Sequence, residues 1–155
     1  MKAIDIAKYL LYKANQDGEV ITNLKMQKLL YYAQAWYLVN FNRPLFEDKI
    51  EAWSFGPVIK SVYQKYKEFI HMPIIYYDKK GKILKKFSKK DQEFLNEFYN
   101  KFINYTAHDL VSLSHSEKPF IEAYNSSPNI ISLERMKDFY SKQYKDESSK
   151  KKGNL

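Results

Sequence analysis

The chain has 155 residues, a length typical of one domain, and it carries a net charge of +8. It contains no cysteine, which excludes disulfides and thiolate metal sites and suits a reducing compartment. No apolar run approaches the roughly 20 residues of a membrane span, and the first residues lack the pattern of a signal peptide. We therefore expect a soluble, cytoplasmic protein without a membrane partner.

Apolar residues at steps of three and four predict helices along most of the chain. This periodicity covers residues 3–14, 23–39, 57–70 and 88–103, and shorter helices are predicted between residues 106 and 144. The third helix starts at Gly56 and Pro57, because proline is tolerated in the first turn of a helix. The predicted fold class is mainly α: a compact, single-domain bundle of about six helices with one small β-hairpin.

The hairpin is predicted at about residues 74–87. Apolar, β-forming stretches flank residues 78–81, a connection that contains glycine. Because two strands alone are marginally stable in water, this hairpin should lie against the helices. At the other end of the chain, residues 145–155 lack apolar periodicity. We expect them to form a disordered basic tail after a domain that covers residues 1–144.

Most of the excess positive charge lies in and just after the predicted hairpin. Residues 78–91 contain seven lysines and two aspartates, which gives +5 of the total +8. The lysines nearest the turn, Lys79, Lys80 and Lys82, would attract an acidic partner. Alternatively, they discourage pairing between exposed sheet edges. A third interpretation is nucleic-acid binding, with lysines following phosphates and aromatic rings stacking on bases. The chain has only two arginines, which argues against reading of base sequence.

The chain is unusually rich in aromatic residues, with fourteen tyrosines and ten phenylalanines. A buried tyrosine hydroxyl needs a hydrogen-bond partner, and tyrosine is common at contact surfaces. Tyr31 and Tyr32 fall partly away from the apolar face of the second helix. Tyr63 ends a second stretch rich in aromatic residues, at positions 50–63. These rings are expected either to form an interface or to fill a helical core.

The sequence contains no recognisable catalytic or metal-binding motif. Glycine-rich phosphate loops are absent, and His71, His108 and His115 lack the spacing of zinc ligands. Ser114 beside His115 suggests a hydrolase, but a histidine at a helix end more often bonds backbone groups. We therefore expect no enzymatic activity, no metal and no cofactor.

Three blocks of the sequence follow the pattern of a known family. They read Lys-Met-Gln-Lys-Leu-Leu-Tyr-Tyr-Ala-Gln from residue 25, Glu-Ala-Trp-x-x-Gly-Pro-Val from residue 51, and Ser-His-x-x-x-Pro from residue 114. Together they resemble the Panacea domain family of SocA-like, phage-associated antitoxins, over about residues 4–140. The motif residues to which we assign a structural role are Lys28, Gln34, Trp36, Gly56, Pro57, His115 and Pro119.

The resemblance implies an antitoxin of a type II-like toxin–antitoxin system, which neutralises a cognate protein toxin by direct contact without enzymatic activity. One branch of the family resembles a proteolytic adaptor, so an ATP-dependent protease is a possible second partner. The predicted partner-binding residues are Tyr31, Tyr32, Trp53, Tyr63, Lys79, Lys80 and Lys82. For Trp53 the alternative is a structural role, as a packing anchor beside Gly56 and Pro57. The alternative function is a nucleic-acid-binding regulator of a phage or prophage. The oligomeric state is not predicted.

Overall fold

The centre of the fold is helix α2, which spans Asn23–Phe41 in the computed structural model of this protein. The structure describes the backbone of residues 1–153 and the side chains of residues 1–146. Thr22 begins α2 by accepting a hydrogen bond from the backbone N–H of Lys25. Thirteen of the 19 residues of α2 are buried, on every side of the helix. The other elements therefore surround α2. It is not an amphipathic helix that packs on the core with a single face.

Six further helices and two short strands are described around α2. They are α1 (Ala3–Asp17), β1 (Glu51–Trp53), β2 (Gly56–Val58), α3 (Lys60–Tyr66), α4 (Lys89–Phe102), α5 (Ala107–His115), α6 (Lys118–Tyr124) and α7 (Leu133–Gly153). Short 3-10 turns occupy Lys67–Phe69 and Lys82–Lys86. The mainly helical, single-domain class that the sequence predicts is thus confirmed, as is the presence of one small hairpin.

The hairpin, however, lies at β1 and β2 and not at residues 74–87. Its strands pair antiparallel, with Trp53 opposite Gly56 beside the turn. On its outer side, the chain near Asn129 adds a backbone hydrogen bond of 2.8 Å to the N–H of Ala52. Gly56 and Pro57 belong to β2, so the prediction that they start a helix is wrong; α3 begins at Lys60. The φ of +108° at Gly56 explains why this turn needs glycine.

Residues 74–87 form no hairpin because their polar contacts favour a turn. The Asp78 carboxylate accepts hydrogen bonds from the backbone N–H groups of Lys82 and Ile83, at 2.8 and 2.9 Å. These bonds hold the chain in the compact 3-10 turn that follows. The buried side chains of Ile83 and Phe87 then pack into the core. The second predicted strand is therefore replaced by a turn that packs against α1.

The C-terminal segment also differs from the sequence prediction. A disordered tail is expected from residue 145, but α7 continues as a helix through residues 145–153, and residues 154–155 lie outside the described part. No proline or glycine interrupts the stretch before Gly153, and lysine and glutamate favour helix. Among the described helices, none combines the length and apolarity that crossing a bilayer demands.

Candidate interaction surface

The hairpin is held in place by buried polar side chains of α2. The Gln34 amide donates to the backbone oxygen of Phe46 at 2.7 Å and accepts from the N–H of Leu45 at 2.7 Å. Two turns earlier, the Gln27 amide accepts from the N–H of Ile59 at 2.9 Å. The segment that carries the hairpin therefore obtains backbone hydrogen bonds from a helix. This explains why a buried helix contains glutamines.

Lys28 extends from α2 beneath the hairpin turn and is completely buried. Its ammonium group donates to the backbone oxygen of Pro57 at 2.8 Å and lies 5.3 Å from the centre of the Phe55 ring. Burial lowers the pKa of this amine to about 7. A Cβ atom on Gly56 would lie 2.5 Å from Cε of Lys28. The lysine stem and the glycine thus fit against each other. This contact explains structurally why the motif has a lysine at position 28 and a glycine at position 56.

Three aromatic rings meet at the hairpin turn, and we call them the hairpin aromatic cluster: Trp53, Phe55 and Tyr63. The ring centres of Trp53 and Tyr63 are 5.1 Å apart, and Phe55 lies 5.6 Å from Trp53. All three rings are half-buried. The structure therefore brings together two of the predicted partner-binding residues. Phe55 was missed by sequence reasoning, although its place between the tryptophan and the glycine of the motif could have indicated it.

Tyr31 and Tyr32 are not part of this surface. They are 0% and 2% exposed, so the prediction that they face a partner is wrong. The Tyr32 hydroxyl donates to the Glu117 carboxylate at 2.5 Å, and the Tyr140 hydroxyl donates to the same oxygen at 2.8 Å. Tyr140 also lies 3.0 Å from the hydroxyl of Tyr31. The error arose because α2 is surrounded on all sides, so an apolar stripe does not mark its buried face.

Glu117 joins α2, α6 and α7 at the centre of this buried network. The residue is 4% exposed, and this burial raises the pKa of its carboxyl group. The hydrogen bonds from the hydroxyls of Tyr32 and Tyr140 act in the opposite direction and lower the pKa. Glu117 was not singled out from the sequence, because its partners are 23 and 85 residues away along the chain. The network fixes the scaffold that carries the hairpin aromatic cluster.

Lys79, Lys80 and Lys82 are exposed, but they belong to a different part of the fold. They lie on the turn that Asp78 organises, and the following 3-10 turn packs against α1. Hydrogen bonds from the backbone N–H groups of Ile83 and Lys82 lower the pKa of the Asp78 carboxyl. The turn therefore combines three exposed lysines with one ionised aspartate, which leaves an excess of positive charge.

The remaining predicted residues have structural surroundings. The Trp36 ring is half-buried, 6.1 Å from the Tyr140 ring, and Pro119 is buried in the first turn of α6. His115 is exposed and stacks on Phe120 with ring centres 4.6 Å apart. It therefore does not play the predicted role of a group that bonds backbone at a helix end.

The geometry near His115 also bears on the hydrolase alternative. The buried Ser114 hydroxyl donates to the backbone oxygen of Val111 at 2.9 Å, so it is not presented to a substrate. In the described part of the chain, no three acidic or histidine side chains converge to hold a metal ion. What the site offers chemically is contact: rings on a fixed hairpin and a separate cationic turn.

Comparison with known proteins identifies the family. The family model described as "Antitoxin SocA-like, Panacea domain" matches residues 26–120, which is more than half of the chain. Antitoxin SocA of Caulobacter vibrioides (strain NA1000 / CB15N) is 48% identical over 59 residues, 38% of this chain and 31% of that protein. The match thus spans about a third of that relative's length. No solved structure matches significantly. The matched range contains most of α2, the hairpin and Pro119, and the chain belongs to the family of SocA-like antitoxins with a Panacea domain.

Proposed function

We propose that this protein is an antitoxin that neutralises a cognate protein toxin by direct contact through the hairpin aromatic cluster. Membership of the SocA-like family supports the antitoxin role. The name of the Caulobacter relative points in the same direction. The buried Ser114 hydroxyl and the exposed, ring-stacked His115 support a mechanism without catalysis. Neutralisation then depends on binding alone.

The observation that carries the proposal is the half-buried cluster of Trp53, Phe55 and Tyr63 on a rigid support. Tryptophan and tyrosine are the side chains most often found at the energetic centre of protein interfaces. Here Gln27 and Lys28 of α2 bond the backbone of Ile59 and Pro57, which lie between Phe55 and Tyr63 along the chain. Such preorganisation reduces the entropy lost on binding. The exposed Lys79, Lys80 and Lys82 would accelerate the encounter with an acidic toxin.

The test is co-expression with the product of the neighbouring reading frame, with growth and toxin capture as readouts. The double variant Trp53→Ala/Tyr63→Ala should abolish rescue and weaken toxin binding by about 100-fold or more, because two central aromatic contacts are lost. Tyr105→Ala, which removes an exposed ring outside the cluster, is the matched control. Thermal melting must show both variants folded. Full rescue by the folded double variant would refute the proposed surface.

Delivery to an ATP-dependent protease is a separate step that the same cells can reveal. If binding alone neutralises the toxin, rescue should persist in a host that lacks the protease, and toxin levels should stay constant. Loss of rescue in that host, together with falling toxin levels in the wild-type host, would show that the antitoxin acts by delivering the toxin to the protease for degradation.

The exposed lysines also keep nucleic-acid binding as the second candidate. Binding of labelled DNA at two salt concentrations distinguishes it from the antitoxin proposal. Tight binding with a steep salt dependence and a preference for one site would favour the nucleic-acid regulator. We expect weak binding that disappears at physiological salt.

A further inference from the structure

Residues 73–77, which we call the edge strip, alternate between buried and exposed side chains. Ile74 is 5% exposed and Tyr76 is half-buried, whereas Ile75 is 60% and Tyr77 is 83% exposed. Alternation with a period of two is typical of an extended strand with one face on a core. Pro73 starts the strip with an isolated antiparallel bridge to Thr22. The strip is therefore strand-like, although no second strand completes it.

The backbone of the edge strip is bonded on one side only. The N–H of Ile74 donates to the oxygen of Ile21 at 2.9 Å, and the oxygen of Tyr76 accepts from the Asn15 side chain. In a strand, neighbouring residues direct their N–H and C=O groups to opposite edges. Those of Ile75 and Tyr77 therefore point to the outer edge. None of the hydrogen bonds among the described residues uses them. The outer edge is open for pairing.

Charge and apolar surface continue on both sides of this open edge. Met72 and Ile70, just before the strip, are as exposed as Ile75. Lys79, Lys80 and Lys82 follow it and are exposed, while the intervening Asp78 carboxylate is occupied by backbone N–H groups. Glu68, in the preceding turn, is exposed and contributes one negative charge against the three lysines. An occupant that complements this surface carries apolar side chains and negative charge.

We propose that the edge strip is a docking edge for an extended, acidic segment of a partner protein, which adds to it as a strand. Main-chain hydrogen bonds to Ile75 and Tyr77 would supply affinity, as in other cases of strand addition to a free edge. The side chains of Ile75 and Tyr77 would pack on alternate apolar residues of the segment. The lysines at positions 79, 80 and 82 would pair with its aspartates or glutamates. This inference requires no antitoxin activity and concerns a surface other than the hairpin aromatic cluster.

The probe is a library of random 12-residue peptides displayed on phage, selected against the purified full chain. The most enriched peptides are then synthesised, and their dissociation constants are measured by fluorescence anisotropy. We expect enriched sequences in which β-branched or aromatic residues alternate with aspartate or glutamate. Enriched sequences without that alternation, or no enrichment, would overturn the proposal.

Two substitutions at one position separate the backbone from the side chain. Ile75→Pro and Ile75→Ala both shorten the side chain, but only proline removes the N–H at the open edge. We expect Ile75→Pro to weaken peptide binding at least tenfold more than Ile75→Ala. Tyr77→Pro tests the next open N–H and replaces Ile75→Pro if thermal melting shows that variant unfolded. Equal binding by the folded proline and alanine variants would contradict strand addition.

The charge requirement has its own matched pair of variants. The first reverses the three lysines beside the strip, Lys79→Glu/Lys80→Glu/Lys82→Glu, and the second reverses three exposed lysines elsewhere, Lys101→Glu/Lys118→Glu/Lys137→Glu. Both change the net charge equally, but only the first should weaken binding of the acidic peptides, by about tenfold or more.

Two other occupants would show themselves in the same samples. A concentration-dependent dimer that Ile75→Pro abolishes would assign the edge to a second copy of the chain and overturn the proposal. Partition of the wild type, but not of Ile75→Pro, onto phosphatidylserine vesicles would assign it to a membrane surface and overturn the proposal equally.

Discussion

The hairpin at residues 51–58 and the edge strip at residues 73–77 are both short extended segments, but their backbones are satisfied differently. The hairpin pairs across its own turn, exchanges hydrogen bonds between Ala52 and Asn129 on one side, and is supported by α2 from beneath. The edge strip bonds to residues 15–21 on one side and to none of the described residues on the other. The first segment is completed within the chain, whereas the second is open.

This difference shows what turns an extended segment into a stable element. Apolar alternation is present in the edge strip, yet that pattern did not make it a hairpin. The decisive contribution comes from the polar side chains of α2, because Gln27, Lys28 and Gln34 bond the backbone of residues 45–59. A buried backbone group without a partner costs about as much as a lost hydrogen bond. The three predictions below test whether the hairpin depends on this support and the edge strip does not.

The largest effect is expected from Gly56→Ala, which disrupts the hairpin at its closest contact. The new methyl group would meet the stem of Lys28, and alanine is strained at a φ of +108°. Strain and overpacking together should lower the free energy of unfolding by about 3 kcal/mol. Urea denaturation measures this loss.

Gly18→Ala separates strain from overpacking. Gly18 has a φ of +70° at the end of α1, and a Cβ atom there would meet nothing within 4 Å. Only the conformational cost of about 1 kcal/mol should appear. If both alanine variants lose the same stability, the contact between Gly56 and Lys28 does not tighten the hairpin.

The next effect concerns the buried amine of Lys28 and depends on pH. The pKa of this amine is about 7 in the folded protein, whereas the ordinary value of 10.5 applies to the unfolded chain. Between pH 7 and pH 10.5 the unfolded chain therefore binds more protons than the folded protein. The free energy of unfolding should therefore rise with pH above 7, by at most about 1.4 kcal/mol per unit. Lys28→Met, which cannot titrate, should lack this rise.

Urea denaturation at pH 6, 7, 8 and 9 measures the difference between the wild type and Lys28→Met. Lys60→Met, which removes an exposed lysine, is the control. A difference that stays constant from pH 7 to pH 9 would show that Lys28 is not held as a buried amine. The hairpin would then need another explanation for its support from α2.

The same contrast explains how far the sequence predicts the fold and the site. Regular helices such as α1 and α4 were predicted because each has one continuous apolar face. Trp53 and Tyr63 were both singled out from the sequence, and the fold brings their rings together, but their role in partner binding stays a prediction. Tyr31 was misplaced because α2 is surrounded on all sides, which no periodicity within one helix reveals. Glu117 was missed because its role depends on partners that are distant along the chain.

The misplaced hairpin has a more specific cause. Residues 74–77 have the alternation of a strand, and the sequence gives no sign that the Asp78 carboxylate will hold the next residues in a 3-10 turn. Conversely, β1 and β2 have three residues each, too few for alternation to be recognised. Gly56 followed by Pro57 is compatible with a helix start, and the sequence does not reveal the φ of +108° at Gly56 or the hydrogen bond from Lys28 to Pro57 that go with the strand.

The smallest effect is expected at the edge strip, where adjacent isoleucines allow the same substitution on its two faces. Ile74→Val removes a methylene from a buried side chain and should cost about 1 kcal/mol. Ile75→Val removes it from an exposed side chain and should change the free energy of unfolding by less than about 0.5 kcal/mol. Urea denaturation of both variants under one condition gives the comparison. If Ile75→Val costs as much as Ile74→Val, the outer face of the strip is covered within the folded chain, and the Ile75 side chain is not free to pack on a docked segment.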